Sequence, residues 1–193
     1  LACWARCRTH LQGGTRLHYW AVDSYPLSRP QLATALESYP ELKHEARELL
    51  AAYPPRLPGI HRLLLDQGRI TLDLVWADAD TALSDLESFG QAYFDAWFLD
   101  GFAPSRNPGM WAAEILTKVA QLAKPGSSLA SYTAAGHVRR TLEAAGYRID
   151  RRRGFGGKRE CIAGIRSDAA SAHGSEKIAD WDLPGRPTPH RSV

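Results

Sequence analysis

The chain has 193 residues, of which 44% are hydrophobic and 23% are charged, and its formal net charge is +3 at pH 7. This length fits one domain with a sizeable core, and the composition is typical of a soluble globular protein. No apolar run approaches the roughly 18 residues of a membrane span, and the start lacks a signal-peptide pattern. The three cysteines and seven histidines show neither disulfide nor metal-ligand spacing. We therefore expect a cytoplasmic protein without a metal site.

Helices and strands alternate along the chain. In the first half of the chain, the patterns predict a helix that ends before Gly13, a strand over 17–23, helices over 28–37 and 41–52, and hairpin strands over 62–66 and 69–76. A helix over 81–89, a strand that ends before Asp100 and a helix over 111–123 follow, and Lys124, Pro125 and Gly126 are expected to close the last of these helices. The remaining elements are a strand over 128–132, a helix over 137–145, and strands over 147–152 and 161–165. Ser28 is the expected N-cap of the second helix.

This alternation predicts an α/β fold, with a parallel sheet that carries helices on both faces. The last two strands have no helix between them, so we expect them to form an antiparallel hairpin at the edge of the sheet. A sheet that ends in this way resembles that of class I methyltransferases. Residues from about 167 to 193 have the composition of a linker and are expected to be disordered. A working interdomain linker and a tail without a role are equally compatible with that composition.

Three carboxylates stand at or just after the ends of predicted strands: Asp23, Asp78 and Asp100. Ligands of an open α/β sheet bind in the crevice outside the carboxyl ends of its strands, where the three acids would meet. Asp23 suits the two hydroxyls of a ribose, provided that a strand and a glycine turn precede Leu1, and Asp78 suits the exocyclic amine of an adenine. Singly, each acid is more often a helix cap or a turn residue. Together they favour a cofactor that contains a nucleoside.

Asp100 is the candidate for the reacting centre. Methyl transfer to an amine needs an uncharged nitrogen aligned with the methyl group, and a carboxylate can orient that nitrogen and accept its proton. Gly101 would let the backbone approach a substrate closely. Phe102 and Trp111 can stack against a base, and packing in the core is the alternative interpretation of these aromatic residues.

Basic residues concentrate near the end of the predicted domain. Such a local excess predicts contacts with phosphates, whereas a solvated surface that keeps the protein soluble is the alternative. The candidate phosphate contacts are Arg139, Arg140, Arg151, Arg152, Arg153, Lys158 and Arg159.

Several motifs over about residues 17–164 are shared with one family. The most specific is the run Asp-Ala-Trp-Phe-Leu-Asp-Gly-Phe-Ala-Pro at 95–104, which is followed by Asn107 and Pro108. Others are Tyr25-Pro26-Leu27, Leu57-Pro58-Gly59, Val138-Arg139-Arg140, and Gly154-Phe155-Gly156 with Lys158-Arg159-Glu160. In these motifs the sequence resembles the methyltransferase domain of the bifunctional tRNA 5-methylaminomethyl-2-thiouridine biosynthesis proteins.

The resemblance implies an S-adenosylmethionine-dependent enzyme with a Rossmann-like class I sheet. Its expected reaction is N-methylation of the 5-aminomethyl group of 5-aminomethyl-2-thiouridine at the tRNA wobble position, which gives 5-methylaminomethyl-2-thiouridine. Asp100 matches the family's catalytic aspartate and is expected to contact the cofactor as well. Asp23 stands where the family commonly has glutamate, and its shorter side chain can still reach a ribose.

The resemblance also implies a domain organisation. Because the first residue is Leu1 rather than methionine, we expect a fragment in which the family's first strand and glycine-rich cofactor loop are missing. Residues 1–166 would then form a partial methyltransferase domain, and residues 167–193 a linker toward an FAD-dependent oxidoreductase domain that this chain does not contain. FAD would belong to that second domain only.

Two other functions stay open. A catalytically inactive tRNA-binding fragment is favoured by the missing glycine loop. A small-molecule methyltransferase would have the same fold but would not need the arginine cluster.

Overall fold

The structure, a computed structural model, describes residues 1–10, 15–154 and 159–167. Its elements are α1 (Ala2–His10), β1 (Leu17–Val22), α2 (Arg29–Leu36), α3 (Lys43–Ala52), β2 (Gly59–Leu65), β3 (Ile70–Trp76), α4 (Ala79–Glu87), β4 (Phe94–Leu99), α5 (Ala113–Gln121), β5 (Ala123–Ser131), α6 (Gly136–Ala144), β6 (Tyr147–Arg153) and β7 (Glu160–Arg166). The predicted alternation of helices and strands is confirmed. None of the described helices is long and apolar enough to cross a membrane.

Hydrogen bonding divides the strands into two mixed sheets. The first sheet has the order β1-β3-β2, in which β1 is parallel and β2 antiparallel to β3. The second sheet has the order β4-β5-β7-β6, in which β4 is parallel to β5 and β7 is antiparallel to both of its neighbours. The predicted terminal hairpin is thus confirmed, with β6 at the edge. The continuous sheet expected from the alternation is instead two sheets, because β1 and β4 each pair on one side only within the described residues.

Side-chain contacts join the two sheets. On α5, Lys118 Nζ donates hydrogen bonds to Asp80 Oδ1 (2.5 Å) and Ser84 Oγ (2.6 Å) on α4. The rings of Tyr19 on β1 and Phe98 on β4 stack with their centroids 6.3 Å apart. The ring contact places the open edges of β1 and β4 next to each other, and the Lys118 hydrogen bonds join the helices that follow β3 and β4.

Most of the buried apolar residues belong to the second sheet and its helices. Helix α5 buries Ile115, Leu116, Val119 and Ala120, whose spacing places them on one face of the helix. They pack with residues such as Leu142 on α6. A smaller cluster, which includes Trp4 of α1 together with Leu65 and Ile70, lies against the first sheet.

One predicted boundary is wrong. Lys124, Pro125 and Gly126 were expected to close a helix, but α5 ends at Gln121 and these residues lie within β5. From the pair Phe94–Ala123 to the pair Ala96–Ser128, the register advances by two residues on β4 and by five on β5. The extra residues form an irregularity in the strand, which accommodates a proline that cannot donate a hydrogen bond to a sheet.

Candidate active site

Two of the predicted acids lie at the carboxyl ends of neighbouring parallel strands. The backbone N–H of Asp23 donates to the Val75 carbonyl (3.0 Å), which fixes the end of β1 beside the end of β3. Asp23 is exposed, and its Oδ1 accepts a hydrogen bond from the backbone N–H of Tyr25 (2.8 Å). Among the described residues, Oδ2 of Asp23 has no partner and is available to a ligand.

Asp78 caps helix α4. Its Oδ1 accepts a hydrogen bond from the Thr81 N–H (2.9 Å), and its Oδ2 accepts one from the Thr81 hydroxyl (2.7 Å). These hydrogen bonds hold the pKa of Asp78 below its usual value. The side chain therefore has the capping role that was the alternative interpretation of its position. Since each carboxylate oxygen has a second lone pair, the cap leaves acceptor capacity for a ligand.

Asp100 lies in a depression beyond the end of β4. The depression has a volume of about 460 Å³ and is lined by Asp100, Gly101, Phe102, Ala103, Arg106 and Tyr132. Asp100 is exposed, and its Oδ1 accepts a hydrogen bond from the Gly101 N–H (2.8 Å). Burial raises the pKa of the Tyr132 hydroxyl, and the charge of Asp100 raises it further.

Asp100 also lies near the first sheet. Burial raises the pKa of Tyr19 on β1, with smaller contributions from Cys3 and from the charge of Asp100. The charge at the end of β4 thus acts on a side chain of the first sheet. Asp23 and Asp78 follow strands of the first sheet, whereas Asp100 follows the edge strand of the second.

Side chains from the end of β5 hold the backbone on both sides of Asp100. The Ser131 hydroxyl donates a hydrogen bond to the Leu99 carbonyl (2.7 Å), and the Tyr132 hydroxyl donates one to the Gly101 carbonyl (2.5 Å). Fixing the carbonyls before and after Asp100 limits the positions that its carboxylate can take. This role was not predicted for either residue, because it depends on the pairing of β5 with β4 rather than on a local sequence pattern.

Trp111 contacts the same loop from the core side. Its indole N–H donates to the Phe102 carbonyl (2.8 Å), and its ring meets Tyr132 edge-on at 6.2 Å between centroids. Because Trp111 is only 2% exposed, the predicted stacking of this ring on a base is wrong, and the alternative of core packing applies. Phe102, in contrast, is 68% exposed and has a ring face available for stacking.

Gly101 meets two constraints. Its φ of +153° lies in the region that side chains rarely adopt. A Cβ atom at this position would lie 2.5 Å from Met110 Sδ. The predicted need for glycine is thus explained mainly by the backbone torsion, whatever the substrate, because the flexible end of Met110 can move.

A second depression, of about 360 Å³, lies beside Asp23 and was not predicted. It is lined by Ser24, Tyr25, Pro26, Arg56, Pro58 and Trp76. Within the ranges that the structure describes, no group of three or more His, Cys, Asp or Glu side chains is arranged to hold a metal ion.

The arginines of β6 lie at the same end of the second sheet as Asp100. Pairing places Leu99, Ser131, Ile162 and Arg151 in one row across the four strands. Three strand spacings separate the ends of that row, which corresponds to roughly 14 Å. Arg152 and Arg153 follow directly beyond the row, level with the Asp100 loop.

The residues of the predicted basic cluster do not form one uniformly positive face. Alternation along β6 places Arg151 and Arg153 on one face of the strand and Arg152 on the other. Arg151 pairs with Glu160 (3.5 Å) and Arg139 with Glu143 (2.8 Å), so part of the positive charge is compensated. Arg140 and Arg159 are exposed, and the predicted contact Lys158 lies outside the described residues.

Comparison with known proteins gives a match to a family model and similar solved structures. The model of the S-adenosyl-L-methionine-dependent methyltransferase family matches residues 40–167. The crystal structure of MnmC2 from Aquifex aeolicus is 23% identical with a TM-score of 0.58, and the match covers 77% of this chain and 43% of that one. The 16S rRNA (adenine(1408)-N(1))-methyltransferase from Catenulisporales acidiphilia is 13% identical with a TM-score of 0.38, and the match covers 86% and 93% of the two chains. The chain thus spans less than half the length of the MnmC2 structure that it matches.

Proposed function

The chain belongs to the family of S-adenosyl-L-methionine-dependent methyltransferases, and on that basis we propose that it methylates the 5-aminomethyl group of 5-aminomethyl-2-thiouridine at the wobble position of tRNA. The observation that carries this proposal is the depression around Asp100, where an exposed carboxylate, an exposed aromatic ring and a guanidinium line one space. The resemblance of residues 95–104 to the tRNA-modifying family and the fold shared with MnmC2 support it.

The residues at the ends of β1 and β3 fit the adenosine part of the cofactor. Asp23 Oδ2 has no partner among the described residues, and a carboxylate in this position can accept hydrogen bonds from ribose hydroxyls. Asp78, ionised and still able to accept, can receive a hydrogen bond from the adenine amine. When bound, the cofactor supplies a methyl group on a positively charged sulfur.

Asp100 would position the amine that receives the methyl group. Its oxygen Oδ1 accepts the Gly101 N–H, and Oδ2, which has no partner among the described residues, would accept a hydrogen bond from the substrate amine. This hydrogen bond holds one N–H bond and thereby directs the nitrogen lone pair away from the carboxylate. After transfer the nitrogen is positively charged, and the same carboxylate can take the proton that it releases.

The partner in this proposal is tRNA, bound along the arginines at the end of β6 and the start of α6. Residues 1–166 would act as the methyltransferase domain, and residues 167–193, most of which lie outside the described residues, would lead to an FAD-dependent domain. The alternative of an RNA-binding fragment without activity predicts tRNA binding without cofactor binding. A small-molecule methyltransferase predicts cofactor binding without tRNA binding.

The substitution Asp100→Asn tests the catalytic role. It keeps the shape of the side chain but removes the charge and the ability to take a proton, so we expect methyl transfer to tRNA that carries the aminomethyl group to fall about 100-fold or more. Cofactor affinity, measured by calorimetric titration of the 193-residue chain, should stay near the wild-type value.

Asp95→Asn provides the matched control. Asp95 lies near the other end of β4 and pairs with Lys124 (2.8 Å) on the surface, so the same change of charge on the same strand should leave the rate unchanged. A wild-type rate in Asp100→Asn would contradict the proposed role of Asp100.

A further inference from the structure

Arg106 places a positive charge in the wall of the depression around Asp100. The backbone N–H groups of Arg106 and Asn107 both donate to the Ala103 carbonyl, at 2.7 and 3.1 Å. This tight turn folds the loop back so that Arg106 lines the same space as Asp100 and Phe102. The placement of Arg106 beside this space follows from the loop backbone, and its side chain is exposed.

Within the described part of the chain, Arg106 has no ion-pair partner. This distinguishes it from Arg139 and Arg151, whose charges are compensated by Glu143 and Glu160. A guanidinium presents its donors in a planar fork that suits the oxygens of a phosphate or a carboxylate. The depression thus offers a site for one anionic group beside the proposed reacting carboxylate.

We propose that Arg106 binds a backbone phosphate of the nucleotide whose base enters the depression. This inference rests on the proposed function, because it requires an RNA substrate. The three kinds of group in the depression match the three parts of such a nucleotide: Asp100 for the amine, the exposed ring of Phe102 for the base, and Arg106 for the phosphate. The volume of about 460 Å³ is in the range of small-molecule sites, and enzymes that act on a base take it out of the stack.

A second anion with similar chemistry is the α-carboxylate of the cofactor. The acids that suit the adenosine part, Asp23 and Asp78, lie at the ends of β1 and β3 in the first sheet. Arg106 instead shares its depression with Tyr132, which follows β5 and lies on the other side of β4. This placement favours the phosphate of the RNA over the carboxylate of the cofactor.

The test compares the salt dependence of RNA binding between variants of the 193-residue chain. The probe is an anticodon stem–loop RNA, and its affinity is measured by fluorescence anisotropy over a range of salt concentrations. Loss of one contact to a single-stranded phosphate should reduce the slope of log K against log salt by about 0.7 in Arg106→Gln. Arg106→Lys keeps the charge and should keep the slope.

Arg47→Gln is the matched control. Arg47 is exposed on α3, outside the depression, and forms no ion pair within the described residues. The same loss of one positive charge there should leave the slope at the wild-type value. Circular dichroism establishes that each variant is folded, and calorimetry gives its affinity for S-adenosylmethionine, which should not change.

The outcomes separate this inference from the proposed function. A slope that falls in Arg106→Gln but not in Arg47→Gln, with unchanged cofactor affinity, supports the phosphate site. An equal fall in both variants indicates a diffuse effect of charge and overturns it, as does an unchanged slope. Weaker cofactor binding with an unchanged slope assigns the anion to the cofactor and also overturns it. If the wild-type chain binds the cofactor but no RNA, the proposed function fails, and the inference fails with it.

Discussion

Replacing Trp111 with phenylalanine tests whether the loop around Asp100 is held from the core. The variant loses the hydrogen bond from the indole N–H to the Phe102 carbonyl, which costs about 1 kcal/mol. It also leaves a void of about 40 Å³, which costs about 1 kcal/mol because core cavities destabilise a protein by about 24 cal/mol per Å³. We therefore expect the free energy of unfolding to fall by about 2 kcal/mol, and the melting temperature by about 4–8 °C.

Trp97→Phe is the matched control, because it makes the same chemical change at a second tryptophan. The indole nitrogen of Trp97 is buried and has no hydrogen-bond partner within the described residues. Its removal therefore costs no hydrogen bond and relieves an unpaired donor, so this variant should lose clearly less stability than Trp111→Phe.

Urea denaturation followed by circular dichroism gives both changes in stability, and methyl transfer is measured at a temperature where both variants are folded. Since Trp111 acts on the carbonyl of Phe102, two residues after Asp100, Trp111→Phe should also lower the rate, whereas Trp97→Phe should not. Equal losses of stability in the two variants, together with a full rate in Trp111→Phe, would refute this reasoning.

Two further predictions concern charge. The double substitution Arg152→Gln with Arg153→Gln should weaken RNA binding and reduce its salt slope by about 0.7 for each of the two residues that contacts a single-stranded phosphate; an unchanged slope would indicate a solvated surface. Hydrogen bonds from Arg62, and to a lesser degree from His18, hold the pKa of Asp73 below its usual value against the opposing effect of burial. Because the pKa is lower in the folded state, Asp73 stabilises the fold above about pH 4 and loses that effect as the pH falls through its folded value. The stability advantage of the wild type over Asp73→Asn should thus be present at about pH 5 and shrink as the pH falls below about 4 in urea titrations; a difference that does not change below about pH 5 would exclude this account.

Features that depend on neighbouring residues could be predicted from the sequence. Ser28 caps α2 in a reciprocal arrangement with Gln31, as expected from a serine placed before a proline in the first helical turn. Gln67 and Gly68 were expected to separate two strands, and they do so with left-handed backbone angles.

Features that depend on distant residues could not be predicted in the same way. An aromatic residue after a loop is compatible with both stacking and burial, and only the packing of α5 and α6 against β5 decides the matter for Trp111. The role of Asp78 could not be decided from the sequence, because capping of α4 and contact with a ligand both require a carboxylate at the end of this strand. The role of Tyr132 arises because β5 pairs with β4, which brings its hydroxyl to the Gly101 carbonyl, and this contact has no local pattern.

The geometry at Gly101 also limits how this protein can vary in evolution. The flexible end of Met110 could move aside for a side chain at position 101, but the backbone torsion there would still disfavour any side chain. A smaller residue in place of Met110 therefore does not make this position tolerant of other residues. Exposed positions of the same loop, such as Phe102 and Arg106, carry no such restriction. New substrate preferences in this lineage are accordingly expected to arise at those positions, while the residue next to Asp100 stays the same.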